Sequence, residues 1–520
     1  MALIVNLMTL YCRIANGNSA VKTNAFDLRD FCNEIKVLCK KVILIAFGYK
    51  TSSLRLIKRG GFMNFLNTFF NVTEIHIYVN LFKRVLSFLY FLIPKRPEEK
   101  FKLNPNSFTR DRKLRFRELI LFILFMVGMS LKKGKGTLYN VFNFLEYMSK
   151  RIKMVVVNAS AISRARRKIS WEFFKERLEK LVRYVYENEL FSEERCNWKG
   201  MRVYAIDCSK YRLPGSEELR EEFDKESGLS DRSGHYPMCS VNVLYDVFRR
   251  IVVRLKINKN WNNERIDAKY LIKVLGEGAL VIFDRGYPSY DLINELMKKG
   301  IKFIMKISIR SFKAVKDFKY SCKAEEIKRI KKPNKYRNRN DLPSSVVLRL
   351  LRMKRIRGHE FIFITNLMDF KKYKMEEIIG LYNRRWEVET HYRNEKVLLE
   401  IEKFHSKNVN GVKQEIYASA MVINIARIFM ELCNQMEGDK RNGYPQFMNA
   451  IVVVSIYVIG VMMRRRGWGQ TDIYIIFLMI NSRKYYKHKK KRSYPRVNRG
   501  DINRWKLKRK EKLEKLNESK

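Results

Sequence analysis

Metal-binding and cross-linking side chains are scarce in this sequence. Its 520 residues include only eight cysteines and six histidines, and no two cysteines form a C-x-x-C pair. Zinc sites and disulfide frameworks need such residues at short, regular spacings. The scatter therefore argues against a His/Cys metal site and against a disulfide-stapled extracellular domain. It indicates free thiols in a reducing cytoplasm.

Long apolar runs are also missing. A membrane-spanning helix needs about 20 predominantly apolar residues in a row. The longest candidate, Ala450–Met463, has 14 residues and runs directly into three arginines. The N-terminus lacks the charged region that begins a signal peptide. We therefore expect no membrane-spanning helix, and we expect Ala450–Met463 to be a buried core helix.

Acidic residues are too few to balance the basic ones. The chain has 53 Asp and Glu against 106 Lys and Arg, a formal net charge of +53, although its 46% hydrophobic content is typical of a globular protein. Folding does not need this excess, which attracts polyanions. Nucleic acid is the first candidate partner and an anionic membrane surface the second. A generally basic proteome would explain the charge without any partner.

The pattern along the chain divides it into regions. The expected regions are an unassigned segment 1–105, a helical DNA-binding region 106–195, the first part of an α/β core 196–307, a β-rich insertion 308–373, the rest of the core 374–435, and a helical region with a basic tail 436–520. A Lys-Arg-Gly-Gly-Phe run precedes Met63. It suggests the hypothesis that the native chain starts at Met63 and that residues 1–62 are upstream read-through.

A short basic helix is predicted near the end of the helical region 106–195. Arg164, Arg166 and Arg167 follow a serine-containing start, and the amphipathic segment Trp171–Tyr186 comes next. Short helices with one basic element fit a helix-turn-helix-like reader of DNA. A plain helical bundle with a solvated charge run fits equally well. The basic tail from Arg483 is expected to follow a phosphate backbone or to stay solvated.

The region 196–307 predicts a mixed α/β sheet. The expected strands are Val203–Ile206, Cys239–Val247, Ile251–Ile257, Ala279–Phe283 and Ile301–Ile307, and the expected helices are Glu264–Leu275 and Ser289–Lys299. The second and third strands should pair as a hairpin on one side of a central strand, with crossovers on the other side. Strand-like runs at Ser345–Met353 and Glu360–Asn366 indicate an inserted β-rich subdomain.

Two aspartates each follow one of these apolar strands. Asp207 comes after the first strand and Asp284 after the fourth. Ligand sites gather at strand ends in α/β sheets, and two neighbouring carboxylates repel each other unless a cation or a proton lies between them. Each aspartate could instead be a structural partner of an arginine, such as Arg285 beside Asp284. The two interpretations remain open.

A third acidic residue lies in Lys374–Ile401, which is predicted to be one long helix. Tyr382, Arg385, Glu389 and Lys396 form the pattern Y-x2-R-x3-E-x6-K. In a uniform α-helix they fall within about 60° of one face. A glutamate flanked by cations could keep one carboxylate for a metal ion beside a bound anion. Ordinary i,i+4 pairing of Arg385 with Glu389 explains the pattern equally well.

The three acidic elements together resemble a known family. An Asp after a first strand, Asp-Arg-Gly-Tyr from Asp284 after a later strand, and Y-x2-R-x3-E-x6-K on a helix are similar to the DDE transposases of the fourth insertion-sequence group. The resemblance covers about residues 105–435. It implies a ribonuclease-H-like catalytic core with a β-rich insertion between Asp284 and Glu389. It also implies an enzyme that breaks and joins DNA phosphodiester bonds.

The resemblance assigns expected roles to individual residues. The expected ligands of two Mg²⁺ ions, for which Mn²⁺ can substitute, are Asp207, Asp284 and Glu389. Hard oxygen donors suit these metals. The expected DNA contacts are Tyr382, Arg385 and Lys396, together with Arg285 and the basic-helix residues Arg164, Arg166 and Arg167. Tyr382 could pack against sugar or base, or belong to the core, and Arg285 could touch DNA or hold Asp284.

The family also implies partners and a location. Its members bind the terminal inverted repeats of their element and target DNA, usually as homodimers on paired ends, in the bacterial cytoplasm at the nucleoid. Two alternatives remain open: a ribonuclease-H-like nuclease or resolvase without strand transfer, and a catalytically dead DNA-binding remnant. Metal-dependent cleavage separates an enzyme from the remnant. Joining of a 3′ end to a second duplex separates a transposase from a nuclease.

Overall fold

The computed structural model describes residues 72–110, 114–128, 158–225, 236–321, 323–354, 360–437, 443–463, 469–482 and 484–485. The hypothesis about Met63 and nearly all of the basic tail lie outside the described residues. The described part of the chain divides into two compact units. The larger lies within Leu92–Ser130 and Gly134–Ile428, and the smaller within Met1–Phe91 and Phe429–Tyr494.

The described strands of the larger unit form one mixed sheet. They are β1 (Asn197–Trp198), β2 (Met201–Arg212), β3 (Met238–Asp246), β4 (Ile251–Lys259), β5 (Ala279–Phe283), β6 (Lys302–Ile307), β7 (Glu325–Lys331), β8 (Ser345–Lys354) and β9 (Glu360–Thr365). Their order is β4-β3-β2-β5-β6-β9-β8-β7, with β1 paired to β2. β2, β5 and β6 are parallel neighbours, and the β3–β4 hairpin lies on the other side of β2. The predicted mixed α/β sheet is confirmed.

Strand β5 lies in the interior of the sheet and is buried along its whole length. All five of its side chains are buried, from Ala279 at 5% exposed to Phe283 at 0%. A parallel strand that is covered on both faces is expected to be apolar along its whole length. Burial of each large apolar side chain contributes roughly 1.5–3 kcal/mol. Asp284 is therefore the first residue after a firmly anchored strand.

Helices surround this sheet and build the smaller unit. They are α1 (Val72–Leu92), α2 (Phe116–Gly128), α3 (Ala159–Arg166), α4 (Glu172–Glu187), α5 (Glu193–Cys196), α6 (Glu217–Phe223), α7 (Glu264–Leu271), α8 (Tyr290–Lys298), α9 (Lys313–Tyr320), α10 (Met375–Tyr382), α11 (Trp386–Arg393), α12 (Val409–Glu437), α13 (Phe447–Val453), α14 (Ile459–Met463) and α15 (Gln470–Asn481). The amphipathic pattern predicted for α4 is confirmed, since Phe174, Leu178 and Leu181 are buried. Cys208 and Cys239 are free thiols, as expected.

Helix α12 is the one described helix that is long and apolar enough to cross a membrane. In the stretch Val409–Met436, 94% of the most apolar window is buried inside the protein. Asn424 of α12 accepts a hydrogen bond from the backbone N–H of Val252 at 2.9 Å and donates to its carbonyl at 2.8 Å. The Asn424 pair joins α12 to β4, and burial inside the protein accounts for the apolar character of this helix. The predicted core helix at Ala450–Met463 is also buried, with a π turn between α13 and α14.

The β-rich region 308–373 continues the central sheet. Strand β9 pairs antiparallel with β6, with Ile304 opposite Thr365, and β8 and β7 follow outward. The strands are therefore not a separate subdomain, which corrects that expectation. Strand β7 was missed because five of its seven residues are charged, which leaves only a weak apolar alternation to predict a strand.

The predicted single α-helix over Lys374–Ile401 changes its hydrogen bonding along its length. A 3₁₀ turn at Asn383–Arg385 separates α10 from α11, and a π turn at Asn394–Leu398 follows α11. Each change rotates the following side chains away from the spacing of 100° per residue, and π turns occur frequently at functional sites. The expectation that Lys396 shares one regular helical face with Glu389 is therefore wrong.

Candidate active site

The sheet brings Asp207 and Asp284 together. Ile206 of β2 is the register partner of Phe283 of β5, and the two aspartates are the next residues of the two chains. Because neighbouring strands lie about 4.8 Å apart, the carboxylates start from adjacent positions. Asp207 lies within β2, which continues to Arg212, and not at the end of a short strand as predicted. The expected placement on neighbouring strands is nevertheless found.

One guanidinium lies among three carboxylates. Arg385 Nη2 is 2.7 Å from Glu389 Oε1, Nη1 is 3.7 Å from Asp207 Oδ2, and Nε is 3.9 Å from Asp284 Oδ1. Burial opposes the charge of Arg385, but Asp284 and the hydrogen bond to Glu389 outweigh it and raise the pKa of Arg385. The i,i+4 pair and the meeting of all three predicted acids therefore occur in the same cluster, the Arg385 cluster.

The three carboxylates differ in their access to solvent. The side chain of Asp207 is 21% exposed, that of Glu389 35% and that of Asp284 45%. Burial raises the pKa of Asp207 to about 6, against the opposing effects of the Cys208 N–H and Arg385. All three groups can be reached from solvent while they are anchored on β2, β5 and α11. This combination suits carboxylates that bind a ligand.

Tyr382 orients Asp284. Its hydroxyl donates to Asp284 Oδ1 at 3.2 Å, and its ring packs edge-on against Phe363 of β9 with centroids 4.7 Å apart. Burial raises the pKa of the Tyr382 hydroxyl, so it remains a protonated donor. The ring is part-buried against Phe363, with the hydroxyl directed at the cluster.

Tyr392 is a residue that the sequence reasoning missed. Its hydroxyl lies 2.7 Å from the backbone oxygen of Asp207 and 2.9 Å from that of Val241. It therefore links α11 to the backbone of β2 at Asp207. A tyrosine three residues after Glu389 could have suggested a contact on the same helix face. Its partners, however, are backbone atoms more than a hundred residues away.

Lys396 stands apart from the carboxylates of the Arg385 cluster. Its Nζ donates to the backbone oxygen of Lys210 and lies 3.7 Å from Glu402. The Lys210 Nζ in turn lies 3.9 Å from the centre of the Trp261 ring, and Trp261 is 60% exposed. Lys210 and Trp261 form a basic aromatic surface three residues beyond Asp207 on β2. Neither residue was predicted from the sequence.

The loop that carries Trp261 is held on both sides of the indole. Asn260 is 3% exposed and donates to Asp224 Oδ1 at 2.7 Å. Asn262 donates to Asp267 Oδ2 at 2.6 Å. Exposure of a large aromatic ring on an anchored loop forgoes burial energy, which is common at binding surfaces.

Arg285 and the three arginines at the end of α3 have different environments. Arg285 is exposed and donates to Ser308 Oγ at 3.2 Å, so its guanidinium is not directed at Asp284. Arg164 and Arg167 are exposed. Arg166 is 8% exposed and donates to the oxygen of Gly411 and to Glu415, both at 3.0 Å. The predicted DNA contact by Arg166 is therefore wrong, because its guanidinium is used in packing against α12.

The donor set of the Arg385 cluster fits a divalent metal. Its three acids offer only carboxylate oxygens, which suit Mg²⁺ and Mn²⁺. In the part of the chain that is described, no group of three His, Cys, Asp or Glu side chains lies close enough together to hold an ion as it stands. The Arg385 guanidinium provides the positive charge between the carboxylates in this arrangement.

Comparison with known proteins gives a family for this region. Residues 198–425 match the model of the family described as "Transposase DDE domain". The transposase InsG for insertion sequence element IS4 from Escherichia coli (strain K12) is 24% identical over 315 residues, which is 60% of this chain and 70% of that protein. The putative transposase InsZ of the same organism is 25% identical over 104 residues, which is 20% of this chain and 35% of that protein.

A solved structure is similar over a larger part of the chain. The piggyBac transposase synaptic complex with hairpin DNA covers 76% of this chain and 80% of its own chain, at 12% identity and a TM-score of 0.40. The match to the DDE domain includes all three acids of the Arg385 cluster, as well as Tyr382, Arg385 and Lys396.

Proposed function

We propose that this chain is a DDE transposase of the fourth insertion-sequence group, an enzyme that binds, cleaves and rejoins DNA, and that Asp207, Asp284 and Glu389 are its catalytic acids. The observation that carries the assignment is the convergence of these three carboxylates, from β2, β5 and α11, on one cation. Enzymes of this family use divalent metal ions. The three acids would hold two Mg²⁺ ions, for which Mn²⁺ can substitute.

In the proposed mechanism, the metal site and the residues around it have different roles. Bound divalent ions supply activation of a water or a 3′-hydroxyl and neutralisation of the leaving oxygen in an in-line displacement. Tyr382 orients the Asp284 carboxylate, and Tyr392 fixes the β2 backbone at Asp207. An in-line displacement assisted by metal ions needs no covalent link between protein and DNA. First-strand cleavage and strand transfer can then use the same centre.

Cations around the centre would bind the DNA backbone. Arg385 can contact a phosphate with two parallel N–H groups. Lys396 acts through Lys210, whose backbone it holds. Arg285, Arg164 and Arg167 remain proposed DNA contacts because their side chains are exposed. The tail from Arg483 is a further proposed contact.

The wider assignment extends to domains, partners and location. We propose that 196–307 and 374–435 form a ribonuclease-H-like catalytic core, supported by the hairpin and parallel strands on opposite sides of β2. Region 308–373 is the β-rich insertion, 106–195 reads DNA, and 436–520 supplies additional contacts. The enzyme acts as a homodimer on the terminal inverted repeats and on target DNA, in the bacterial cytoplasm at the nucleoid and away from the membrane.

Strand transfer is the activity that separates this function from that of a nuclease or resolvase. A duplex with a pre-cut element end, incubated with the full chain, Mn²⁺ and a supercoiled plasmid, should yield plasmid covalently joined to the labelled 3′ end. The joined product is expected to disappear when the 3′-hydroxyl is replaced by hydrogen. Cleavage of uncut ends without any joined product would instead assign the chain to the nuclease class.

Lys210 and Trp261 are expected to contribute to DNA affinity. Loss of a base–aromatic contact costs about 1–3 kcal/mol, so Trp261→Ala should weaken binding by about five- to 150-fold. Lys210→Ala should lower the slope of log affinity against log salt by about one unit. The measurement is fluorescence anisotropy of a labelled element end at several salt concentrations.

The control for this prediction is Tyr320→Ala. Tyr320 is 72% exposed and has Lys319 over its ring, but it lies on α9, which packs at the β7 edge of the sheet. Its removal should leave DNA affinity within about twofold. Equal losses for Tyr320→Ala and Trp261→Ala would show that the surface formed by Lys210 and Trp261 has no special role in DNA binding.

A further inference from the structure

The Arg385 cluster contains a conflict between two cations. Arg385 is 7% exposed and lies within 4 Å of each of three carboxylates. The same carboxylates are the proposed metal ligands. A guanidinium cannot lose its proton in a protein, so it cannot become neutral to make room for a metal ion. It must move if the carboxylates are to turn toward another cation.

The contacts between Arg385 and the three carboxylates can be replaced by contacts with another ligand. Among the three carboxylates, only Glu389 is at hydrogen-bond distance, at 2.7 Å, while Asp207 and Asp284 are 3.7 and 3.9 Å away. The Arg385 Nε is buried and has no hydrogen-bond partner. A buried donor without a partner carries a desolvation cost. A ligand that offers two acceptor oxygens would relieve that cost.

We propose that Arg385 is an internal counter-ion that keeps the carboxylates from binding metal until a DNA phosphate takes over its guanidinium. A phosphate offers two oxygens to the planar fork of an arginine, an arrangement stronger than the single hydrogen bond to Glu389. Once Arg385 is bound to DNA, the three carboxylates repel each other and attract divalent cations more strongly. The inference rests on the proposed role of these acids as metal ligands.

The consequence is coupling between DNA and metal. If DNA raises the affinity for metal by removing Arg385, metal must raise the affinity for DNA by the same factor. The enzyme would then assemble an active centre chiefly when its substrate is present. A chain without DNA would bind divalent ions weakly despite having three suitable carboxylates.

The neighbouring arginine provides a matched control. Arg384 belongs to the same 3₁₀ turn, but its side chain is 49% exposed and pairs with Glu387 at 3.6 Å. Arg384→Gln and Arg385→Gln remove the same charge and introduce the same side chain. They differ in whether the lost guanidinium contacts the proposed metal ligands. A difference between them therefore reports on contact and not on net charge.

The test is Mn²⁺ binding to the full chain by isothermal titration calorimetry, first without DNA. Arg385→Gln is expected to bind Mn²⁺ at least about tenfold more tightly than wild type, and Arg384→Gln within about twofold of wild type. Addition of a pre-cut element end should tighten Mn²⁺ binding by wild type, after subtraction of binding to DNA alone. The same addition should have little effect on Arg385→Gln. Unfolding curves of each variant establish that the fold is intact.

Two results would overturn the inference in different ways. If Arg385→Gln binds Mn²⁺ no more tightly than wild type while Asp284→Asn loses binding, the carboxylates are ligands but Arg385 does not compete with metal. If Asp284→Asn also retains wild-type Mn²⁺ affinity, the proposed ligands themselves are wrong.

Discussion

Replacement of Glu389 by glutamine should lower DNA cleavage by at least about a thousandfold and leave DNA affinity within a few-fold of wild type. Glutamine keeps the shape of the side chain and loses the negative charge that a divalent ion needs. The Arg385 Nη2 can still donate to the amide oxygen, so the local packing persists. Cleavage is measured at saturating DNA with Mg²⁺ or Mn²⁺, and affinity by anisotropy in EDTA.

Glu387→Gln is the matched control for this prediction. Glu387 lies two residues away on α11, and its carboxylate pairs with Arg250 at 3.0 Å and not with the Arg385 cluster. It should retain cleavage within about threefold, since a part-buried ion pair of this kind affects stability more than chemistry. Normal cleavage by Glu389→Gln, or equal losses in the two variants, would mean that the third acid is misassigned.

Arg166→Ala is expected to destabilise the fold by about 3–5 kcal/mol, because it leaves a buried carboxylate without its partner. Arg166 donates to Glu415, and the two side chains are 9% and 2% exposed. Arg164→Ala, on the exposed side of the same helix, should change stability by no more than about 0.5 kcal/mol. Urea unfolding followed by circular dichroism measures both. Equal stability of the two variants would contradict the structural role of Arg166.

The pH dependence gives a second check on the buried pair. Burial raises the pKa of Glu415, but Arg166 and the hydrogen bonds with His405 more than compensate and lower it from 4.5 to about 2. A depressed folded-state pKa contributes stability that is present above the unfolded value and is lost as the pH falls through the folded value. The difference between wild type and Arg166→Ala should therefore be full at pH 7. It should shrink as the pH falls from 4.5 towards 2.

Local patterns predicted the positions of the three acids, but only the family resemblance joined them into one set. Asp207 and Asp284 follow apolar strands, and parallel neighbours in an α/β sheet place the residues after them side by side. Glu389 stands one helical turn from Arg385, a spacing that any helix preserves. The meeting of the strands and the helix at one point was an expectation from that resemblance.

The remaining features depend on contacts that are distant in sequence. Arg166 and Arg164 look alike within their helix, and their different environments are decided by α12, almost 250 residues later. Lys396 does not lie on the predicted helix face because it belongs to the π turn that follows α11. Lys210 and Trp261 meet only because β2 continues past Asp207 and the residues after β4 reach back toward it across β3. Strands β7–β9 joined the central sheet through the pairing of β9 with β6, which no local pattern shows.

The central claim is that Asp284 belongs to a metal-dependent centre that cuts DNA. The most direct measurement is cleavage of a duplex carrying the element's own end and flanking DNA, by wild type and by Asp284→Asn, with Mg²⁺, Mn²⁺ or EDTA. The account predicts release of a 3′-hydroxyl end by wild type with either metal, and none in EDTA or with the variant. Tight DNA binding by wild type without cleavage in any divalent metal would contradict it and would indicate a protein that only binds DNA.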